Sequence, residues 1–132
     1  MTRPVVQLAD GLRSRIVDHC LSELPNEACG LLAMSGDVVV EVYPTTNEDR
    51  SPYRYTVPPG ELYDALVDAE KRGWRLGGVF HSHPRGAAEP STTDIERAVE
   101  PGWLYLIVGL DRGTAIRGWM IESSGPVEAD LV

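Results

Sequence analysis

The chain has 132 residues, of which 24% are charged, and a formal net charge of −8. This length predicts one domain over residues 1–132, large enough to bury roughly two-thirds of the surface that the unfolded chain exposes. The acidic residues are scattered rather than clustered, which argues against a nucleic-acid partner because a phosphate backbone demands a basic surface.

Targeting and redox features favour the cytoplasm. No run of the sequence approaches the roughly 18 apolar residues of a membrane span, so we expect no membrane partner. The N-terminus has no charged segment followed by an apolar one, as a secretory signal would require. The two cysteines, Cys20 and Cys29, form neither a disulfide framework nor a CxxC motif, which favours a reducing compartment.

Apolar periodicity and turn residues predict strands and helices through the first half of the chain. In order, we expect a strand near Val5–Leu8, a helix over Gly11–Leu24 capped by Asp10, strands at Ala28–Met34 and Val38–Tyr43, an extended piece at Tyr53–Val57 and a helix at Gly60–Arg72. The side chains expected to face the core are Leu12, Ile16, Val17, Cys20, Leu21 and Leu24 on the first helix and Leu62, Leu66 and Ala69 on the second. The long connection from Pro44 to Pro59 is a candidate substrate-facing loop.

The second half begins with an apolar, β-favouring run from Trp74 to Phe80 that continues to His83 and ends at Pro84. Gly77 and Gly78 predict a bulge or a close backbone approach within it. The remaining elements are a helix opened by Ser91 and running to Val99, strands at Trp103–Leu110 and Ala115–Ile121, and a short strand near Val127–Leu131. Tight turns between strands make them antiparallel, so the fold class is α+β with a mixed, curved sheet flanked by helices.

The residues with the clearest chemistry are His81-Ser82-His83-Pro84, followed after six residues by Ser91-Thr92-Thr93-Asp94. Alternate side chains of a strand share a face, so His81 and His83 project together with Cα atoms about 6.6 Å apart. Two imidazoles at that spacing can bind one ion at about 2.0–2.1 Å, with Asp94 as the third ligand. Three protein ligands leave a fourth position for water, as in catalytic zinc sites.

Each part of this pattern also has a structural interpretation. An HxH pair occurs on half-exposed strands without metal, and Ser91-x-x-Asp94 is an ordinary capping box. Capping and a site role are compatible for Ser91 but compete for the Asp94 carboxylate. Cys29 near the histidines suggests a cysteine hydrolase, although its apolar surroundings favour a small buried core residue. A non-haem iron oxygenase also uses two histidines and one carboxylate.

The same residues resemble the JAMM (MPN+) metalloprotease family, whose pattern is an upstream glutamate, then HxHP, then SxxD after six residues. The upstream segment is Asn26-Glu27-Ala28-Cys29-Gly30-Leu31-Leu32. Thr46-Asn47, Ser51-Pro52 and Tyr55 resemble the linker segment of compact bacterial members, so the resemblance extends over nearly the whole chain. It implies the MPN/JAMM fold, a cytidine-deaminase-like architecture.

The resemblance also implies the roles of the site residues. His81, His83 and Asp94 would hold one Zn²⁺ per chain, with water as the fourth ligand. Glu27, which otherwise looks like a surface or cap carboxylate, would be the general base. Ser91 would donate a hydrogen bond to the oxyanion that forms on the attacked carbonyl. These roles define a zinc metallopeptidase or isopeptidase.

Substrate and partner follow from the same resemblance. Family members cleave at the C-terminal Gly-Gly tail of ubiquitin-like, β-grasp proteins. This chain is little more than a catalytic core and looks most like compact bacterial members that process a sulfur-carrier protein, including those that release cysteine or another adduct. The alternative is a non-catalytic MPN scaffold that binds a ubiquitin-like partner.

Overall fold

A computed structural model describes residues 3–98 and 100–132. Its elements in chain order are β1 (Val5–Val6), α1 (Asp10–Ser22), β2 (Cys29–Ser35), β3 (Val38–Thr45), α2 (Pro59–Lys71), β4 (Arg75–His83), α3 (Thr92–Arg97), β5 (Leu104–Gly109), β6 (Ala115–Glu122) and β7 (Gly125–Leu131). None of the helices in this described part of the chain is long and apolar enough to cross a membrane.

The strands form one mixed sheet in the order β1-β7-β6-β5-β4-β2-β3. β4 pairs with β5, and β1 with β7, in parallel, whereas the other neighbours are antiparallel. The sheet curls so that its two edges, β1 and β3, approach each other. Gln7, which directly follows β1, donates its N–H to Asp37 O at 2.9 Å and accepts the N–H of Val39 at 3.0 Å. The predicted α+β class with a mixed, curved sheet and flanking helices is confirmed.

The strand that carries both histidines, β4, lies inside the sheet between β2 and β5. Its pairing with β2 skips Gly77, since Leu32 faces Gly78 and Ala33 faces Leu76. A Cβ on Gly78 would lie 2.7 Å from Leu104 O, so only glycine allows β5 to approach this closely. Both predicted explanations of the glycine pair, a bulge and a close approach, are therefore correct.

Helix α1 buries fewer side chains against the core than the periodicity of its apolar residues predicts. Ile16 and Cys20 are fully buried, but Leu21 and Leu24 are 47% and 45% exposed. The helix ends at Ser22, so Leu24 lies beyond it. Asp10, predicted to cap the helix, is instead its first residue, and no side-chain cap bond forms there.

Helix α2 buries Ala69 as predicted but not the two leucines that were also expected to face the core. Ala65 and Ala69 are buried, whereas Leu62 and Leu66 remain more than a third exposed. Asp68 on the opposite flank of the buried face accepts a hydrogen bond from Tyr43 on β3. This bond and the small alanines hold α2 close to the sheet, which leaves the two leucines at the rim.

Other element boundaries differ by a few residues. β1 is shorter than predicted, the 53–57 segment is loop, and β7 begins two residues earlier, at Gly125. Helix α3 ends at Arg97, because Ala98 already has an extended backbone with ψ of 102°. The predicted end of this helix at Val99 lies outside the described residues.

Candidate active site

The two histidines lie at the C-terminal end of β4, on the same face of the sheet. His81 is fully buried and pairs in register with Cys29 on one side and Ile107 on the other. His83 is half-buried. Ser82 points to the opposite face, as strand alternation requires, and its buried hydroxyl accepts the N–H of Ala28 at 2.9 Å.

Asp94 comes from the first turn of α3. The Ser91 hydroxyl accepts the N–H of Asp94 at 3.0 Å, and the Asp94 Oδ2 accepts the N–H of Ser91 at 2.9 Å, which completes a capping box. The same Oδ2 lies 3.1 Å from the Nε2 atoms of both His81 and His83. The capping bond therefore leaves this oxygen facing both histidines, although the carboxylate was expected to point back to the helix start.

His81, His83 and Asp94 form a group that can hold a metal ion. The two Nε2 atoms are 3.2 Å apart, and each is 3.1 Å from Asp94 Oδ2. Three ligands of a tetrahedral zinc at about 2.0–2.1 Å stand about 3.3 Å from one another. The spacing of the three donor atoms is thus close to that required by an ion with tetrahedral coordination.

Burial and hydrogen bonding set the protonation states of this group. Burial lowers the pKa of His81, which favours the neutral imidazole that binds a metal. Burial acts to raise the pKa of Asp94, but the hydrogen bonds with His81 and His83 outweigh it and hold that pKa well below its ordinary value. The aspartate is therefore a carboxylate at neutral pH, ready to bind a cation.

Glu27 lies just before β2 and is only 5% exposed. Its backbone N–H donates to Ser51 O at 2.8 Å, and its own carbonyl accepts the Asn47 side-chain amide at 3.0 Å. Its Oε1 is buried and has no hydrogen-bond partner among the described residues. Burial raises the pKa of Glu27 from 4.5 to about 7.

Glu27, His83 and Ser91 line one cleft of about 250 Å³. The structure therefore brings together the residues that the sequence predicted for chemistry, from the start of β2, the end of β4 and the start of α3. Pro52 and Tyr53 of the 46–58 loop, which was predicted to face a substrate, line the same cleft.

Sequence reasoning missed Asn47 as the residue that shapes this loop. Its side-chain oxygen accepts the N–H groups of Asp49 and Thr56, and its amide also donates to Arg54 O. Asn47 is buried, and a buried amide must find partners, but that burial is visible only in the structure. The available signal in the sequence was the resemblance of Thr46-Asn47 to the family's linker segment. Asn47 thus fixes both the loop and the backbone of Glu27.

Cys29 does not have the properties of a nucleophile. Its sulfur is fully buried, 3.3 Å from both Thr45 Oγ1 and Thr46 O. Burial raises the pKa of Cys29 to about 11, so the thiol stays neutral and unreactive. Cys20 is likewise buried in the core. Both predictions of a packing role are confirmed.

Comparison with known proteins gives the family. Residues 9–122 match the model of the prokaryotic homologs of the JAB domain, and the chain belongs to this family. A desampylase of Haloferax volcanii is 34% identical over 126 residues, covering 90% of this chain and 91% of the relative. A CysO-cysteine peptidase of Mycobacterium tuberculosis is 34% identical over 109 residues, covering 79% and 73%.

A solved structure from Desulfitobacterium hafniense is 35% identical, with a TM-score of 0.88, covering 97% of this chain and 92% of that one. The family resemblance predicted from the HxHP and SxxD motif is confirmed. The names of the relatives also agree with the predicted hydrolytic enzyme.

Proposed function

We propose that this protein is a zinc-dependent peptidase or isopeptidase that acts at the C-terminal Gly-Gly tail of a ubiquitin-like, β-grasp protein. The observation that supports it most is the spacing of the His81, His83 and Asp94 donor atoms, 3.1–3.2 Å apart. They lie beside a cleft that also holds a buried carboxylate and a serine hydroxyl.

The proposed cofactor is one zinc ion per chain, with water as the fourth ligand. Two imidazole nitrogens and one carboxylate oxygen are donors that zinc accepts, and three protein ligands are typical of catalytic rather than structural zinc. When bound, zinc supplies a Lewis acid and lowers the pKa of a water ligand from about 15.7 to about 7.

Glu27 is the proposed general base. A base works best when its pKa lies near the working pH, and the burial of Glu27 brings its pKa to about 7. Because Oε1 has no partner among the described residues, it is available to accept the proton of the attacking water. The same carboxyl then delivers that proton to the departing amine.

Ser91 is the proposed oxyanion donor. A hydroxyl has two acceptor lone pairs and one donor hydrogen. The capping bond from Asp94 N uses one lone pair, and the O–H remains available to donate to the carbonyl oxygen as negative charge develops there. The side chain can therefore cap α3 and stabilise the transition state together.

The proposed substrate is a sulfur-carrier protein or its amino-acid adduct. The relatives named above are a desampylase and a CysO-cysteine peptidase, and the cleft beside His83 holds only about 250 Å³. An extended tail can add main-chain hydrogen bonds as it enters such a groove. A Gly-Gly tail suits the narrow approach, because it brings no side chains.

A cleavage assay tests this function. The zinc-loaded protein is incubated with a β-grasp carrier whose Gly-Gly terminus is extended by cysteine, and the products are analysed by mass spectrometry. We expect hydrolysis directly after the second glycine, abolished by a chelator and restored by zinc. A protein that binds zinc and the carrier but leaves the bond intact would instead be the non-catalytic scaffold.

A further inference from the structure

The two histidines differ in what holds their second ring nitrogen. His83 Nδ1 lies 2.8 Å from Ala87 O, which fixes the plane of its ring. His81 Nδ1 is buried and has no hydrogen-bond partner among the described residues. A metal-binding histidine almost always donates this N–H to a nearby acceptor, which orients the ring. The orientation of His81 therefore needs another explanation.

Tyr55 provides a contact that can orient His81. The two rings are stacked, with centroids 4.6 Å apart and planes inclined by 25°. This separation is at the close end of the range for aromatic pairs. Since His81 Nε2 lies in the ring plane, a stacked neighbour restricts the direction in which that nitrogen points.

Tyr55 is itself held by the helix that bears Asp94. The Arg97 guanidinium donates to Tyr55 O at 2.7 Å and to Thr56 Oγ1 at 3.2 Å, and it lies 5.8 Å from the centre of the Tyr55 ring. Arg97 follows Asp94 by three residues on α3, so both side chains lie on one side of the helix. One helix thus presents the carboxylate ligand and holds the loop that contacts a histidine ligand.

We propose that Tyr55 is a positioning residue of the metal site: its ring fixes the His81 imidazole, and Arg97 keeps Tyr55 in place. This inference rests on the proposed zinc site and adds to it a contact outside the HxHP and SxxD motif. It assigns the role to the aromatic ring rather than to the phenol hydroxyl.

Zinc affinity and a spectroscopic signal test the proposal. The variants are Tyr55→Leu, which removes the ring, and Tyr55→Phe, which keeps it. The control is Tyr63→Leu, which makes the same substitution at an exposed tyrosine on α2. The zinc dissociation constant is measured by competition with a chromophoric chelator, and the visible absorption bands are recorded after Co²⁺ substitution. We expect Tyr55→Leu to weaken zinc binding by about 10- to 100-fold and to shift the cobalt bands. Tyr55→Phe and Tyr63→Leu should match the wild type.

Two results would overturn the proposal: unchanged zinc affinity and cobalt bands in Tyr55→Leu, or equal losses in Tyr55→Phe and Tyr55→Leu. If Tyr55→Leu does not fold, Arg97→Lys decides, because lysine keeps the positive charge that acts on His81 but lacks the planar guanidinium that contacts both Tyr55 O and Thr56 Oγ1. This variant must weaken zinc binding and shift the cobalt bands, and the absence of both effects would reject the role of Tyr55. A wild-type protein that binds no zinc would refute the proposed function itself, which is a different outcome.

Discussion

Ser91 and Asp94 cap each other at the start of α3, and the Asp94 oxygen that accepts the N–H of Ser91 is the one that faces both histidines. The start of the helix and the proposed metal ligand are thus one structural unit. Because backbone bonds fix the carboxylate, it needs little rearrangement to receive an ion, which favours binding. Changes at Ser91 and Asp94 should therefore affect both stability and chemistry.

Removal of any one ligand should remove the metal. We expect about one zinc per chain in the purified protein and loss of that zinc in His81→Ala, His83→Ala and Asp94→Ala, since two remaining ligands are too few for tight binding. Elemental analysis of protein purified without added metal measures this, with the exposed Asp18→Ala as the control. Full zinc occupancy in Asp94→Ala would exclude that residue from the ligand set.

Glu27→Gln should separate chemistry from metal binding. The amide has nearly the shape of the carboxylate but cannot take a proton, so we expect zinc to remain and kcat to fall by about 10²–10⁴. Glu70→Gln, an exposed acid on α2, is the matched control and should keep full activity. Substantial turnover by Glu27→Gln would mean that the base is another group.

The two roles of Ser91 can be separated with a pair of variants. Alanine removes the cap and the hydroxyl and should cost about 1 kcal/mol of stability, whereas glycine, also without a hydroxyl, costs only a few tenths. Loss of one oxyanion donor should reduce kcat by about 10²–10³ in both variants. Thermal unfolding and steady-state kinetics measure the two effects. A stability loss without a change in kcat would leave Ser91 as a capping residue only.

The buried Glu27 should make the stability of the metal-free protein depend on pH. Its pKa is raised from 4.5 to about 7, so the folded protein retains a proton that the unfolded chain releases. That favourable contribution is present below about pH 4.5 and is lost as pH rises through about 7. Relative to Glu27→Gln, the wild type should therefore lose up to about 3 kcal/mol of unfolding free energy between pH 5 and 8.

Urea unfolding at several pH values measures this difference. Glu70→Gln controls for the loss of one negative charge. A difference between the wild type and Glu27→Gln that does not change with pH would show that the carboxyl does not titrate in this interval.

The grouping of the three proposed metal ligands was predictable because local rules determine their geometry. Strand periodicity places His81 and His83 on one face, and the spacing of Ser91 and Asp94 predicts a helix start. Glu27 required the family resemblance, since its burial arises from tertiary contacts with Ser51 and Asn47 of a loop. No local pattern distinguishes such a glutamate from a surface one.

The side chains through which each helix packs on the sheet were less predictable. Apolar periodicity does not indicate how closely a helix approaches the sheet. α2 packs through Ala65 and Ala69 and leaves Leu62 and Leu66 at the rim, although leucine is the more hydrophobic residue. The stacking of Tyr55 on His81 also depends on tertiary structure, since the 46–58 loop must fold back over β4.

Substrate selectivity is the last prediction. The cleft beside His83 is small and bounded by Pro52 and Tyr53 of one loop and Pro84 of another, so the residue before the scissile bond must be slim. Replacing the terminal glycine of the carrier by valine adds a branched side chain at that point. A misplacement of about 1 Å at the reacting carbonyl can cost about 10²-fold in rate. We therefore expect that change to slow cleavage by about this factor, and a change of the residue beyond the bond to have a much smaller effect.

Mass spectrometry of time courses with the matched carriers measures both rates. Cleavage at internal sites of unrelated unfolded proteins, without preference for Gly-Gly, would reject the carrier substrate and leave a zinc peptidase of broader specificity.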